Sequence, residues 1–200
     1  TYRFRQDSTF LYYWGLDLPG LAAVIDLDND SEIIFGNDKT IDEIVWMGPQ
    51  PTIQEQSELA GVKQSLPFPK LADVLKTALD KQQRIHFLPQ YRANNKIFLK
   101  ETLNLPYLPG FEHASVDFIK AVVAQRSVKS QDEIEEIEKA LDISYEMHTY
   151  AMQKTAPGVV EQEVAGAIEG IALAHGGYVA YPVIFSINGQ TLHNHYHGNV

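Results

Sequence analysis

Two long helical patterns, divided at Pro157-Gly158, constrain this chain more than any other feature. Ser130-Gln131-Asp132-Glu133 has the form of a capping box. The serine oxygen accepts from the third helical N–H while the glutamate reaches back. Ile134, Ile137, Leu141 and His148 then keep one helical face, and Glu135 and Lys139 form a favourable i,i+4 pair. The pattern runs to about Lys154, where Pro157-Gly158 breaks it. The second pattern carries Val164, Ile168 and Ile171 on one face and stops at Gly176-Gly177. An extended run over 178–187 comes next, and Asn188-Gly189 suits the positive φ of a hairpin turn. The second part therefore reads helix, helix, strand, turn, strand start. Its boundary falls near Val128, so the expected parts are 1–127 and 128–200.

The first part reads as small α/β. Leu21-Ala22-Ala23-Val24-Ile25 has the composition of a buried strand. Asp28-Asn29-Asp30-Ser31 is a turn cluster, and Glu32-Ile33-Ile34-Phe35 resumes a strand, which makes a hairpin. Ile44-Val45-Trp46-Met47 reads as a further strand ending at Gly48-Pro49, with Trp46 facing a core. Helices are expected over Ile53 to Leu59 and Leu71 to Leu79, the second with Leu71, Leu75 and Leu79 on one face. Arg84 to Pro89 reads as a strand closed by proline, and Leu103 to Gly110 as a loop. The aromatic run Phe10-Leu11-Tyr12-Tyr13-Trp14 reads as core plus rim.

At 200 residues and 44% apolar, such a chain buries a real core. A net charge of -10 without a Lys/Arg cluster argues against nucleic acid as a partner. With no cysteine, disulfides, thiolate catalysis and thiolate zinc sites are excluded for these residues, and a cytoplasmic setting fits. No apolar run approaches the ~18 residues of a membrane span. The chain opens at Thr1 and closes at Val200, both abruptly, so an N-terminal segment and the end of the second domain are expected beyond it.

Of the seven histidines, three stand in Leu192-His193-Asn194-His195-Tyr196-His197-Gly198-Asn199. On a strand, alternate residues share a face, which suits a metal site or a proton relay; a polar strand edge fits equally. His148 reads as a hydrogen-bonded core histidine. His175, at a helix C-terminus, reads as a structural partner of the dipole. No phosphate loop and no nucleophile elbow is present.

A resemblance carries the reading further. Tyr2-Arg3-Phe4-Arg5-Gln6-Asp7-Ser8-Thr9-Phe10-Leu11-Tyr12-Tyr13-Trp14-Gly15 resembles the opening of the aminopeptidase P N-terminal domain. Ile44-Val45-Trp46-Met47-Gly48 resembles its Ile-Trp-x-Gly strand. Arg126-Ser127-Val128-Lys129-Ser130 with Glu133-Ile134 resembles the stretch that opens its catalytic domain, and Pro157-Gly158…Glu161 a later helix start. The pieces occur in one order along nearly the whole chain.

The resemblance implies an Xaa-Pro aminopeptidase of the aminopeptidase P/prolidase kind. The fold class is α/β: a mixed-sheet creatinase/prolidase-like domain, then the start of an α+β pita-bread catalytic domain. Two divalent metal ions, manganese, would sit on carboxylates and a histidine that lie beyond the histidine run. No metal ligand is therefore carried over, and the chain alone is expected to be metal-free and inactive. The substrate-side histidine falls on His195, which keeps His-Tyr-x-x-Asn and the spacing from the pocket tyrosine, Tyr181; His193, which keeps the preceding Leu, is the alternative. Trp46 would be lent to a neighbouring subunit's pocket, implying a homo-oligomer through the N-terminal domain. The substrates would be peptides with proline in second position. Alternatives are an Xaa-Pro dipeptidase, a creatinase-like C–N hydrolase and a non-catalytic pita-bread peptide-binding module.

Overall fold

The structure, a computed structural model, describes residues 4–187 apart from the Phe111 side chain. The chain divides into two compact units, Thr1–Arg126 and Ser127–Val200.

The first unit begins with α1 (Ser8–Trp14). Asp7 caps it, its Oδ1 accepting from the Thr9 and Phe10 N–H groups at 2.9 and 3.0 Å. Gly15 ends it in the left-handed region, φ 66°, where a residue with a Cβ is strained. β1 (Ala22–Asp26) and β2 (Ser31–Gly36) form the expected antiparallel hairpin, in register from Ala22 opposite Phe35 to Asp26 opposite Ser31. The chain then makes α2 (Ile41–Met47) and α3 (Ile53–Leu59) and returns as β3 (Gln64–Pro67), parallel to β2. The sheet order is β1-β2-β3, a small mixed sheet with β2 in the middle.

Successive residues of β2 face opposite sides of the sheet, and both sides are covered. Ile34 joins Leu16 and Val62, with Phe10, Trp14 and Ile53 packed around them. Phe35 joins Leu71 and Leu75 of α4 (Lys70–Asp80), with Phe68, Ile85 and Phe98 around them. Neither Ile34 nor Phe35 is exposed at all. Each such burial contributes about 1.5–3 kcal/mol, so this adjacent pair anchors two half-cores. Asn37 and Asp38, just beyond β2, pin the starts of α4 and α3. Asn37 Oδ1 accepts from Phe68 N–H at 3.1 Å, and Asp38 Oδ1 from Ile53 N–H at 2.7 Å.

Arg84 to Pro89 is no strand; it belongs to no ladder. Ile85 instead packs its side chain on the Phe35 cluster, and the Phe87 carbonyl accepts from Ser115 N–H at 3.4 Å. Beyond it come α5 (Ala93–Thr102), a short 3-10 turn over Phe111–His113 and α6 (Val116–Ser127). Near the end of α6 the aromatic helix α1 is tied down. Tyr13 donates its hydroxyl proton to Gln125 Oε1, and Arg126 donates to Thr9 Oγ1 at 2.7 Å while lying over the Tyr12 ring.

In the second unit α7 (Gln131–Lys154) starts at the expected capping box: Glu133 N–H donates to Ser130 Oγ at 3.2 Å, and Ser130 N–H to Glu133 Oε2 at 2.9 Å. Pro157-Gly158, with Gly158 at φ 87°, leads into α8 (Glu161–Ala174). Val164, Ala165, Ile168 and Ala172 of α8 are buried. On α7, Ile134, Ile137 and Leu141 remain exposed, and so does His148, which corrects its reading as a core histidine. Lys139 pairs with Glu136 at 2.6 Å rather than with Glu135, because i,i+3 neighbours are equally adjacent on a helix. Residues 178–187 do not form the expected strand; among the described residues no second strand pairs with them. The Asn188-Gly189 turn lies outside the described residues.

Candidate functional site

Trp46 sits on a helix, which overturns its reading as a core-facing strand residue. β-branched and aromatic residues in Ile44-Val45-Trp46 favour a strand, yet the start of α2 is fixed by stronger local bonds. Thr40 Oγ1 accepts from Glu43 N–H at 3.3 Å, and Glu43 Oε2 accepts from Thr40 N–H at 2.9 Å. Asp42 and Glu43 in the first turn also favour the helix dipole. These bonds hold the Glu43 carboxyl below its ordinary range; the Thr40 backbone N–H is the largest cause, followed by the Lys39 ammonium at 3.1 Å. At the far end of this helix Trp46 is 88% exposed between exposed Val45 and Met47, and Ile41 at its start is exposed as well. A seven-residue helix thus presents a flat indole outward on a well-anchored base.

Tyr181 lies in the second unit, on the irregular run after α8, and is 67% exposed. His193 and His195 lie outside the described residues. Trp46 and Tyr181 belong to separate units. His197 lies outside the described residues too, and the described histidines have local contacts or lie exposed. His175 sets Nδ1 3.0 Å from the Ile171 carbonyl oxygen and Nε2 3.6 Å from Glu146, the helix-end role its position suggests. His113 accepts from Gly110 N–H at 3.3 Å and meets the Tyr107 ring edge-on, 5.0 Å between centroids. His86 is exposed.

Among the described residues no three His, Asp or Glu side chains stand together as a metal site. Asp26, in the β1–β2 turn, is held below the ordinary carboxylate range chiefly by the Asn29 side-chain amide. That bond and those to the Asp28 and Asn29 N–H groups close a turn. A polar concavity of about 460 Å³ lies in the first unit, where Arg5, Arg92 and Arg126 line a space with Asp7 and Thr9.

One residue that sequence reasoning took only as part of a helix start proves to be the most buried charged group among the described residues. Glu161 is 4% exposed, and its Oε1 accepts from the backbone N–H of Ile187. The Pro-Gly-x-x-Glu spacing marked the position. Nothing local could have shown a bond to a residue so far along the chain.

Comparison with known proteins gives two family matches. Residues 1–86 match the family described as aminopeptidase P, N-terminal domain, and residues 135–200 match metallopeptidase family M24. A probable Xaa-Pro aminopeptidase of Aspergillus terreus (strain NIH 2624 / FGSC A1156) is 26% identical over 196 residues, covering 95% of this chain and 38% of the relative. The Xaa-Pro aminopeptidase of Escherichia coli (strain K12) is 25% identical over 203 residues, covering 96% of this chain and 46% of the relative. Among solved structures, the low-pH form of aminopeptidase P from E. coli superposes with a TM-score of 0.72 at 24% identity, over 88% of this chain and 42% of that one. The zinc-substituted E. coli enzyme in complex with product does so with a TM-score of 0.71. These likenesses show the fold. The chain spans about two-fifths of the length of the relatives it matches.

Proposed function

Because the chain belongs to the aminopeptidase P/M24 metallopeptidase family, we propose that its parent protein is a metal-dependent Xaa-Pro aminopeptidase, which releases the N-terminal residue from peptides with proline in second position. The observation that carries this is the order of the two family matches along one chain, joined to relatives named Xaa-Pro aminopeptidase that align over at least 95% of it. In this reading residues 1–127 are the N-terminal domain and 128–200 open the catalytic domain. The 200-residue chain alone has no peptidase activity. A cytoplasmic location belongs to the same reading, with which a cysteine-free chain is compatible.

M24 membership implies divalent metal, manganese in this proposal, which when bound polarises the scissile carbonyl and supplies hydroxide near neutral pH. The described residues offer no such site, so no step is assigned to them through a metal. What this chain contributes is the substrate side. His195, or His193 in the alternative alignment, donates a hydrogen bond from a ring N–H to the oxyanion that develops on the carbonyl. Tyr181 lines the pocket. Trp46, exposed on α2, closes the pocket of a neighbouring copy in a homo-oligomer, and its outward placement supports that role.

The test uses full-length protein, stripped of metal by chelation and reloaded in turn with manganese, cobalt and zinc. Turnover of Xaa-Pro-Xaa tripeptides, restored by metal and absent on tripeptides without proline, is the expected result. Turnover of Xaa-Pro dipeptides alone would instead make it a dipeptidase. Tight peptide binding without turnover at any metal load would make it a binding module.

A further inference from the structure

Arginine is scarce in this chain: five occur among 200 residues, against eleven lysines, and the net charge is -10. Three of the five, Arg5, Arg92 and Arg126, nevertheless line one concavity of about 460 Å³ in the first unit, and no lysine does. They come from distant segments, so the fold gathers them and no basic run in the sequence announces them. Like charges so gathered repel unless an opposite charge offsets them. No ion pair among the described residues involves Arg5 or Arg92. The one carboxylate lining the space, Asp7, is engaged by α1, where its Oδ1 accepts from the Thr9 and Phe10 N–H groups. Three guanidiniums against one carboxylate leave a surplus of two positive charges. Two of the forks are held by neutral groups. Arg92 donates from Nε to the Tyr91 hydroxyl at 3.3 Å and from Nη2 to the Arg5 carbonyl oxygen at 3.4 Å. Arg126 donates to Thr9 Oγ1 at 2.7 Å and lies over the Tyr12 ring. Such supports order the side chains in advance, which lowers the entropic cost of taking a ligand.

We propose that this concavity is a binding site for a phosphate-class dianion, either inorganic phosphate or a phosphoryl group on a small molecule, clasped by Arg5, Arg92 and Arg126. The guanidinium fork matches phosphate oxygens bidentately, which a lysine ammonium does not. A phosphoryl group brings about −1.5 to −2 charge at pH 7 and several acceptor oxygens, so it meets the surplus. A carboxylate brings a single charge and leaves part of the surplus unmatched. The site is made of side chains, since Asp7 already takes the Thr9 and Phe10 N–H groups of α1. Its volume falls within the roughly 300–1,000 Å³ of small-molecule sites, which leaves room beside a phosphoryl group for whatever carries it. The proposal stands apart from the Xaa-Pro reading and uses none of the residues assigned there.

The experiment is isothermal titration calorimetry on full-length protein with its metal bound, near neutral pH and at constant ionic strength. The probes are inorganic phosphate and glycerol phosphate, with dimethyl phosphate and acetate as single-charge controls. Both dianions are expected to bind, and both controls to bind at least about 10-fold more weakly. Arg5→Gln and Arg92→Gln should each weaken dianion binding on the order of 10- to 100-fold, the worth of a charged hydrogen bond. Both side chains are exposed, so these variants are expected to keep the fold, which thermal melting checks. Arg92→Lys keeps the charge without the fork and should fall between wild type and Arg92→Gln. Arg126→Gln should weaken binding as well; if it unfolds the first unit, the Arg5 and Arg92 variants decide. Glycerol phosphate binding more tightly than phosphate identifies a phosphorylated small molecule as the ligand; otherwise free phosphate is the ligand. Failure of both dianions to bind overturns the proposal, as does acetate binding as tightly as phosphate. Dianion binding undiminished in either Gln variant overturns it too, because phosphate held by a metal ion elsewhere would be indifferent to these changes.

Discussion

Trp46 shows how one side chain separates two roles that a sequence leaves merged. A core tryptophan stabilises its fold and tolerates little change; truncation costs about 3–5 kcal/mol. An indole 88% exposed contributes little to its own unit. Trp46→Ala is therefore expected to shift stability by no more than about 0.5 kcal/mol, as at most surface sites. If the residue is lent to a neighbouring pocket, the same change raises KM in the full-length oligomer. Thermal melting and steady-state kinetics on one preparation check both halves. An unchanged KM removes Trp46 from the substrate pocket. The histidine run gives the sharper case. A donor to a developing oxyanion acts mainly in the transition state, so its loss falls on kcat. His195→Ala in full-length protein is expected to lower kcat by about 10²–10³ with bound metal unchanged. If His193→Ala carries that loss and His195→Ala does not, the alignment from Tyr181 shifts to the other histidine. Loss of metal in either variant ends the substrate-side assignment.

The helices α2, α3 and α7 all begin with the same device, a Thr or Ser whose oxygen takes the third N–H while a Glu reaches back. The motif was legible in the sequence for α7, where a long apolar period came after it. It was equally present as Thr40-x-x-Glu43, but the branched and aromatic residues after it read as a strand, and the cap won. β3 and α5 were not legible: one is four residues of mixed polarity, and the other begins without a side-chain cap bond. The run over 178–187 had the composition of a strand, but whether it enters a ladder depends on other segments of the chain, which composition does not reveal. The caps carry a pH dependence of definite sign. Glu43 and Glu55 are held below the ordinary glutamate range, each mainly by the backbone N–H of its capping threonine. A folded pKa below the unfolded one means stability that is complete above the unfolded value, about pH 4.3, and lost as pH falls through the folded value. Acid titration monitored by hydrogen exchange should therefore loosen α2 and α3 below about pH 4. Glu43→Gln, which removes the titrating carboxyl while leaving the Thr40 N–H in place, should flatten that acid limb for α2. A limb unchanged in Glu43→Gln would mean that the cap carboxylate is not its origin.

Across the whole molecule, the two compact units give perturbations a natural range. The packing of Phe35 lies entirely within the first unit, on Leu71 and Leu75 and the side chains around them. Phe35→Ala is expected to cost about 3–5 kcal/mol. Hydrogen exchange should rise across β1, β2, β3 and α4 while the buried face of α8 keeps its protection, since changes at sites without shared partners act independently. Equal loosening of α8 would show the units to be one cooperative body. The sheet itself bears on the order of events during folding. β1 and β2 are joined by a tight turn, so their pairing closes a short loop and can form within microseconds. β3 pairs with β2 only after the segment 37–63, with α2 and α3, has been gathered in, and closing a longer loop costs more entropy before any contact repays it. The hairpin is thus the natural nucleus and β3 a late arrival. Weakening the turn at 27–30 should slow refolding, whereas weakening β3 at Leu66 should mainly hasten unfolding. Stopped-flow chevrons of the two variants would separate these limbs, and a Leu66 variant that slowed refolding as much as a turn variant would place the parallel pairing in the nucleus instead.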